Sequence, residues 1–543
     1  MAGLVSGRRP TAVVGVSNFL TRFEVLVCCS VLAIIAAECV LNAIRSGTNA
    51  FDDAANAVVS KNVAQGRGYL LSFDFDGVNP GGALFDPQLD TSPSIIMVGA
   101  LAIRAFGVHP AVPALALILV NILIFAGWMY LLAGNGGRMR ALLYGAVFSI
   151  SAVAFTAKHH EEWFAFLGEF EAFLFAAAAF ALISFGDRRR RTFVLSGILL
   201  GLSFLAKELS ALYVLAFAVT LILRGTLCLA RRWDGREAYR LLRGGFLAFT
   251  GIAIPALLFE LYRLYSLGAA GFVKNWRDHF HYVYSQGFDS PPVGFDLIAL
   301  RDAIIRDHYF LGLVPLAVIA ILVSGLIWRY CPDRKIRDYC LFLLIAFAIH
   351  LAYWLLISIG WPRYAFNMIL FACAIPPILI IGTRPLTAKW TAASIAIFTI
   401  VLCWSGFVHY GAVWLGPAWS RSPNDAQAQL KLESYLIEHG HSDLVYAPGW
   451  AHMATLEYLA KQPVRFSFGN ADSTAPGLLV INRRLPLPNT LQFARLLSRC
   501  RPLRTFGSDY EIHTCSSAEG NSESEPALSL ATSARSAKSS AND

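Results

Sequence analysis

The feature that most constrains this chain is a series of apolar segments long enough to cross a lipid bilayer. The first covers residues 24–44, and similar segments recur along most of the 543 residues. A helix needs about 20 apolar residues to span the hydrocarbon core. Only 15% of the residues are charged, 56% are hydrophobic, and the mean hydropathy is +0.53, which is far from the composition of a soluble domain. The sequence therefore predicts an α-helical polytopic membrane protein.

Basic residues fall in short stretches between the apolar segments, which explains the net charge of +9 without a nucleic-acid partner. The sequence contains no recognisable groove-reading or base-stacking module, so we expect no nucleic-acid binding. Under the positive-inside rule the basic stretches lie in the cytosol. Neighbouring stretches must then be joined by an even number of crossings. They comprise Arg8, Arg9 and Arg22 and residues 134–140, 187–191, 224–243, 329–337 and 383–389.

The requirement for an even number of crossings decides how two ambiguous segments relate to the membrane. Residues 93–107 would form a helix only about 22 Å long and contain Arg104, so we expect them to lie in the membrane interface or to re-enter. Residues 193–223 are predicted to form two short helices that meet near Lys207, because one long helix would put a basic stretch on the wrong side. About eleven transmembrane helices result, with the C-terminus outside. The other spans are 24–44, 111–133, 141–157, 171–185, 244–266, 310–328, 340–358, 364–382 and 391–415.

Composition divides the chain into three parts. Residues 1–415 are predicted to form a transmembrane domain, in which residues 45–110 make the first external loop with interfacial helices. Residues 416–515 alternate helical and strand-like periodicity and predict a small extracytoplasmic α/β domain. Cys500 and Cys515 can form a disulfide there if this end lies outside the cytosol. Residues 516–543, rich in Ser and Ala, predict a disordered tail.

An acidic pair, Asp52 and Asp53, follows the first apolar segment. Neighbouring residues on a helix point about 100° apart, so one carboxylate is expected to act and the other to support it. A carboxylate at the membrane surface is a candidate general base. The alternative is that both residues only cap a helix over residues 54–64, where acidic side chains favour the positive end of the helix dipole.

A second acidic patch is predicted on the same external face. Glu169 and Glu171 stand at the mouth of an apolar helix, where a charge is costly unless it is used or paired; helix capping is the alternative. His159, His160, Glu161 and Glu162 lie on one short stretch, and adjacent residues rarely converge on one metal ion. We expect a solvated loop there.

Cations complete the set of candidate residues. Lys207-Glu208 interrupts an almost entirely apolar run, and Arg363 precedes a late apolar helix. Ionisable groups at membrane depth are functional candidates, with mutual pairing or snorkelling as the alternative. Two such cations are suited to hold a phosphate that arrives within the membrane. A further group, Lys274, Arg277, His279 and His281, is expected to be an ordinary external loop.

Several short motifs occur in an order that resembles the GT-C superfamily of polyprenyl-phosphate-sugar glycosyltransferases. The resemblance is closest to the branch with protein O-mannosyltransferases and the aminoarabinose transferase that modifies lipid A. The motifs are Phe51-Asp-Asp-Ala, Lys61-Asn-Val-Ala-Gln-Gly66, Thr91-Ser-Pro-Ser-Ile-Ile, Ala105-Phe-Gly-Val108, Gly168-Glu, Gly197-Ile-Leu-Leu-Gly-Leu-Ser-Phe-Leu-Ala-Lys207 and Arg363-Tyr364. They span roughly residues 20–385. Ser92 departs from the Pro or Gly common in relatives, so the resemblance leaves the subfamily and the substrate open.

The resemblance implies an inverting transfer from a polyprenyl-phosphate sugar to a hydroxyl of a lipid, glycan or protein acceptor. Asp52 and Asp53 correspond to the catalytic acidic position and its neighbour, and Glu169 corresponds to the second acidic position. Lys207, Arg363 and Tyr364 are the expected ligands of the lipid phosphate. A divalent metal occurs in some relatives, but no ligand set in this sequence requires one. The implied location is a bacterial inner membrane, with the active site and the C-terminus on the periplasmic side.

Two other function classes compete with this interpretation. A transporter also has charges within the membrane, but its polar residues would be expected along a midplane path and in paired broken helices. Here the polar residues gather on one face. A polysaccharide polymerase or ligase that uses a lipid-linked glycan would be favoured by an external site centred on His and Arg instead of on Asp52.

The predicted topology can be tested by cysteine labelling. Because basic stretches stay in the cytosol, single cysteines at positions 188–191 should be protected from an impermeant thiol reagent added outside the cell. A cysteine near residue 430 should react, since the C-terminal domain is predicted outside. Labelling of both sites before and after membrane permeabilisation measures the difference, and reaction at 188–191 in intact cells would contradict the topology.

Overall fold

The computed structural model describes sixteen stretches of the chain, and every structural statement below concerns these residues. They are 11–48, 51–72, 82–86, 93–156, 163–187, 189–230, 235–288, 309–356, 362–382, 425–439, 444–447, 450–459, 465–466, 476–483, 491–508 and 510–516. The predicted span 391–415 and most of the predicted tail lie outside them, so the count of eleven crossings stays a prediction.

Apolar helices form most of the described chain, and seven of them are long and apolar enough to cross a membrane. The helices of this bundle are α1 (Thr11–Ser46), α4 (Val112–Gly136), α5 (Arg138–Phe155), α6 (Glu169–Phe185), α7 (Arg190–Ala206), α8 (Ala211–Ala230), α9 (Gly235–Phe288), α10 (Tyr309–Tyr330), α11 (Arg334–Leu356), α12 (Phe366–Ala374) and α13 (Ile378–Gly382). The predicted break near Lys207 is confirmed, because α7 ends at Ala206 and a 3-10 turn over Glu208–Ser210 precedes α8. The core between the helices is aromatic, with Trp128, Phe148, Phe173, Phe180 and Phe342 fully buried.

Small residues allow α7 and α9 to pack closely. A Cβ on Gly197 would lie 1.9 Å from the Ala248 carbonyl oxygen, and one on Gly251 would lie 2.3 Å from the Val194 oxygen. Membrane helices associate through such close backbone contacts because lipid supplies little hydrophobic drive between them. Gly197 therefore sets the distance between these two helices.

A layer of short elements, here called the α2 layer, covers one end of the bundle. It contains α2 (Phe51–Ala64), β1 (Leu70–Leu71), β2 (Ala83–Leu84) and α3 (Pro93–Phe106). The two strands pair antiparallel. Helix α3 has only 14 residues, too few for a perpendicular crossing of about 30 Å, as the sequence predicted.

Helix α9 corrects the expectation of a loop after residue 268. The chain changes direction at Gly268, whose φ of 68° is outside helical geometry, and then continues as a helix to Phe288. Lys274, Arg277, His279 and His281 therefore lie on a helix. A glycine adopts positive φ at little steric cost, so it bends the rod here without ending it.

The C-terminal unit combines α14 (Asp425–His439), α15 (Trp450–Leu459) and α16 (Leu491–Ser498) with a mixed five-stranded sheet. The strands, in the order β4-β3-β5-β7-β6, are β3 (Leu444–Ala447), β4 (Arg465–Phe466), β5 (Gly477–Asn482), β6 (Cys500–Phe506) and β7 (Tyr510–Cys515). Strand β3 is parallel to β4 and β5, whereas β5, β7 and β6 are antiparallel neighbours. Cys500 and Cys515 face each other across β6 and β7 and form a disulfide. The predicted small α/β unit is thus present.

Replacing Gly197 with Ala tests the close packing of α7 on α9. The added methyl group would overlap the Ala248 carbonyl, so we expect a loss of about 1–3 kcal/mol in the free energy of unfolding. Thermal unfolding in detergent measures the change. Gly127→Ala is the control, since a Cβ there has no atom within 4 Å and Ala favours helix by about 1 kcal/mol. Equal stability of the two variants would contradict the packing argument.

Candidate functional site

The acidic pair lies in the first turn of α2, which begins at Phe51. Helix α2 therefore begins three residues earlier than the predicted helix over residues 54–64. Asp53 is buried and Asp52 is half-buried. Carboxylates in the first turn interact favourably with the positive end of the helix dipole. The capping alternative accordingly explains part of their placement, and their catalytic role stays a proposal.

Side-chain hydrogen bonds fix the orientation of α2. Asn56, one turn after Asp52, donates through Nδ2 to the Phe166 carbonyl oxygen at 2.9 Å. On the next turn, Ser60 donates to the Ile96 carbonyl of α3 at 3.1 Å. Residues four apart share a helix face, so the face of α2 that carries Asp52 lies beside the segment leading into Glu169.

Glu169 and Lys207 form a buried ion pair. The Lys207 Nζ lies 3.3 Å from the Glu169 Oε1, and the side chains of Lys207 and Glu169 are only 8% and 4% exposed, respectively. Lys207 follows the last residue of α7 with extended backbone dihedrals (φ −155°, ψ 128°), and Glu169 opens α6. Two of the predicted site residues, from separate segments, are thus in contact. Pairing is favoured because an isolated charge in this environment is costly.

Local backbone geometry explains how these segments meet. Gly168 has a φ of 102°, and a Cβ on it would lie 2.5 Å from the Ala206 carbonyl oxygen. Any other residue would be strained at this φ and would push the start of α6 from the end of α7. Ser203 holds the same two helices together by donating to the Ala172 carbonyl at 2.6 Å.

Asn121 on α4 is a polar partner that the sequence analysis missed. Its Nδ2 donates to the Glu171 Oε1, and both residues are buried. The amide satisfies one oxygen of a carboxyl group whose burial would otherwise be more costly. The available signal was a single Asn in a long apolar segment.

A second charged group, also missed, lies beyond Lys207. The Arg263 guanidinium is 5.1 Å from the centroid of Phe259 and 5.0 Å from that of Trp276, and it lies 3.5 Å from Glu260. Aromatic faces stabilise a cation of this kind. His279 contacts Glu208, the neighbour of Lys207, at 3.1 Å. Charged groups therefore extend from Glu169 to the second half of α9.

A buried polar group is formed by Tyr213 and its neighbours. The Tyr213 and His350 rings are 5.0 Å apart, and the Tyr213 hydroxyl lies near Ser210 and Asn367. Tyr213, Ser210 and His350 are completely buried. Sequence analysis did not select them, because single polar residues in apolar helices are compatible with ordinary packing.

Two of the predicted phosphate ligands, Arg363 and Tyr364, lie in one short turn. Arg363 lies in a 3-10 turn over Pro362–Ala365 that leads into α12, but its side chain is outside the described residues. Tyr364 in the same turn is half-buried and packs against the core. His159, His160, Glu161 and Glu162 also lie outside the described residues.

Metal binding finds no support in the part of the chain that the structure describes. Within it, no three His, Cys, Asp or Glu side chains form a group that could hold a metal ion.

Comparison with known proteins identifies the fold. No family model and no curated protein sequence matches the chain. The crystal structure of ArnT from Cupriavidus metallidurans bound to undecaprenyl phosphate is similar over 90% of this chain and 97% of that chain, with a TM-score of 0.56 and 13% identity. The apo state of ArnT gives the same values. The archaeal oligosaccharyltransferase AglB from Archaeoglobus fulgidus gives a TM-score of 0.48 at 13% identity over 84% of this chain and 69% of that chain.

The chain therefore has a GT-C-type fold, the architecture of a class of membrane glycosyltransferases. The expected resemblance and fold class are confirmed. The identity of 13% limits the likeness to the fold, so substrate and residue roles have to be argued from the site itself.

A double-mutant cycle tests the ion pair. Glu169→Gln or Lys207→Met alone would leave the partner charge buried, and we expect each to lower the free energy of unfolding by about 3–5 kcal/mol. The free energy of unfolding of the double variant should fall by less than the sum of the two single losses, because neither charge is left behind. Thermal unfolding of all four proteins in detergent gives the coupling. Strict additivity would show that the two charges do not stabilise each other.

Proposed function

We propose that this protein is an inverting glycosyltransferase that moves a sugar from a polyprenyl-phosphate donor to a hydroxyl group of an acceptor. The observation that carries the proposal is the buried pair of Lys207 and Glu169, 3.3 Å apart, beside the helix that presents Asp52. A fold shared with ArnT, which was crystallised with undecaprenyl phosphate, supports a lipid phosphate as the carrier.

Asp52 is the proposed general base. It is half-buried at the start of α2, so one side of it is accessible, whereas Asp53 is buried and suits a supporting role. The Asp52 carboxylate takes the proton of the acceptor hydroxyl, and that oxygen forms a bond to the anomeric carbon. The bond from this carbon to the phosphate oxygen breaks at the same time, and its electron pair stays on the lipid phosphate. One displacement inverts the anomeric configuration.

Cations stabilise the departing phosphate in this mechanism. The Lys207 ammonium has three donors, so it can keep Glu169 as a partner and still donate to a phosphate oxygen. Arg363 and Tyr364, in the turn that leads into α12, are the proposed additional phosphate ligands. Preorganised positive charge where negative charge develops is commonly a large contribution to catalysis. Glu169 would hold Lys207 in place before the donor arrives.

The proposed location is a bacterial inner membrane, with this site on the periplasmic side. The Cys500–Cys515 disulfide supports an external position for the C-terminal unit, because such bonds persist in oxidising compartments. The acceptor is a hydroxyl of a lipid, a glycan or a protein. Neither a transporter nor a polymerase gains a specific supporting observation from the described residues.

Asp52→Asn tests the proposed base. We expect the transfer rate to fall about 10²–10⁴-fold, because the amide cannot accept the proton, while the protein stays folded. Purified protein in liposomes is supplied with polyprenyl-phosphate sugars that carry a radiolabel, and label transferred to membrane acceptors is measured. Asp53→Asn is the matched comparison and should lose less activity. Wild-type transfer by a folded Asp52→Asn protein would refute the assignment, and uptake of a solute without transfer would favour a transporter.

A further inference from the structure

The C-terminal unit contacts the acidic helix α2 at both ends. The first contact is at Thr48, three residues before α2 begins. The Gln429 side chain of α14 accepts from the Thr48 N–H at 3.3 Å and donates to the Thr48 carbonyl at 3.1 Å. Thr455 of α15 donates to the same carbonyl at 3.0 Å. Two elements of the C-terminal unit therefore fix the backbone just before Asp52.

The Gln429 side chain lies so close to the backbone before Thr48 that residue 47 has to be glycine. Gly47 has a φ of 60°, and a Cβ there would lie 2.3 Å from the Gln429 Oε1. Gln429 is itself completely buried and also donates to the Tyr510 hydroxyl of β7 at 3.0 Å. The amide therefore connects the start of α2 to the sheet, and it is held from several sides.

The second contact is at Lys61, in the last turn of α2. Its ammonium donates to the carbonyl oxygens of Glu457 and Tyr458, the second of these at 3.2 Å. These carbonyls belong to the last turn of α15, where the helix dipole is negative and unsatisfied carbonyls need donors. Lys61 is only 4% exposed. Burial lowers the pKa of Lys61, while the Glu457 carboxylate opposes this shift.

Further hydrogen bonds join the same two surfaces. Ser72, just after β1, donates to the Glu457 Oε1 at 2.7 Å, and the Tyr458 hydroxyl donates to the His109 carbonyl at 3.0 Å. The C-terminal unit is therefore docked on the α2 layer by several elements and not joined to it by the chain alone. A catalytic side chain displaced by about 1 Å can lose about 10²-fold in rate, so what holds α2 affects chemistry.

We propose that the C-terminal unit positions the catalytic carboxylate. Gln429 binds the backbone at Thr48, just before α2, and the last turn of α15 binds Lys61 in the last turn of α2. Asp52 and Asp53 lie between these two contacts. Lys61 and Gln429 are positioning residues, since they act through α2. This inference rests on the proposed function of Asp52. It assigns the C-terminal unit a role in the rate of transfer in addition to any role in binding an acceptor.

Lys61→Met and Gln429→Leu in the full-length protein test the proposal. Lys61→Met removes the hydrogen bonds that Lys61 makes, Gln429→Leu removes those of Gln429, and each nearly keeps the volume of the side chain. We expect kcat to fall at least tenfold in both variants, while KM for the polyprenyl-phosphate donor changes less than twofold. Amide hydrogen exchange over residues 51–64 should become faster. Lys61→Arg, which keeps a cation facing the same carbonyls, should recover most of the rate.

Lys431→Met is the matched control, because Lys431 is an exposed residue of the same helix as Gln429; it should transfer at the wild-type rate. Gln429→Leu gives an independent measurement if Lys61→Met fails to fold, since it removes no charge. Wild-type kcat in Gln429→Leu, or a rise in donor KM with kcat unchanged, would overturn the positioning role. Asp52→Asn measured in parallel separates the two proposals: if it transfers normally, the assignment of the base fails, whatever the other variants do.

Discussion

The ion pair of Glu169 and Lys207 is the interaction on which the arrangement of this end of the bundle depends. An ammonium group placed among apolar helices is expensive unless a carboxylate meets it, and the carboxylate has the same requirement. The pair, with its 3.3 Å contact, therefore forces the first turn of α6 against the gap between α7 and α8. Gly168 permits that approach, and Asn56 of α2 binds the same segment three residues before Glu169. Helix α2, the break at Lys207 between α7 and α8, and the start of α6 consequently lie next to one another.

Much of this could be predicted from charge and segment length. The break at Lys207 followed from the sidedness of two basic stretches, since only an interrupted helix keeps both on one side. The short α3 followed from its length and from Arg104. These predictions succeeded because a bilayer has a fixed thickness and penalises charge. The length and charge of each apolar segment therefore indicate how it relates to the membrane, without knowledge of its tertiary contacts.

The remainder depends on contacts between distant residues. Nothing near Lys61 in the sequence indicates that its charge would end against α15, almost 400 positions later. The continuation of α9 past residue 268 was missed because two glycines, Gly268 and Gly271, precede a polar run that begins at Lys274. This pattern is also typical of a loop, and tertiary packing decides between the two. The antiparallel pair β6 and β7 was not predicted either, since exposed basic residues on β6 weaken its alternation. Arg363 could be nominated as a phosphate ligand, but its role needs a side-chain position.

The sheet of the C-terminal unit has two edges, and both are unsuited to pairing with another chain. Within the described residues, strand β4 has only two residues. Strand β6 has an irregular register between Pro502 and Arg504, with exposed Arg501 beside them. Proline lacks an amide donor, and arginines and bulges disfavour intermolecular strand addition. Copies of this protein crowded in one bilayer can therefore collide through these units without joining into extended β-structure.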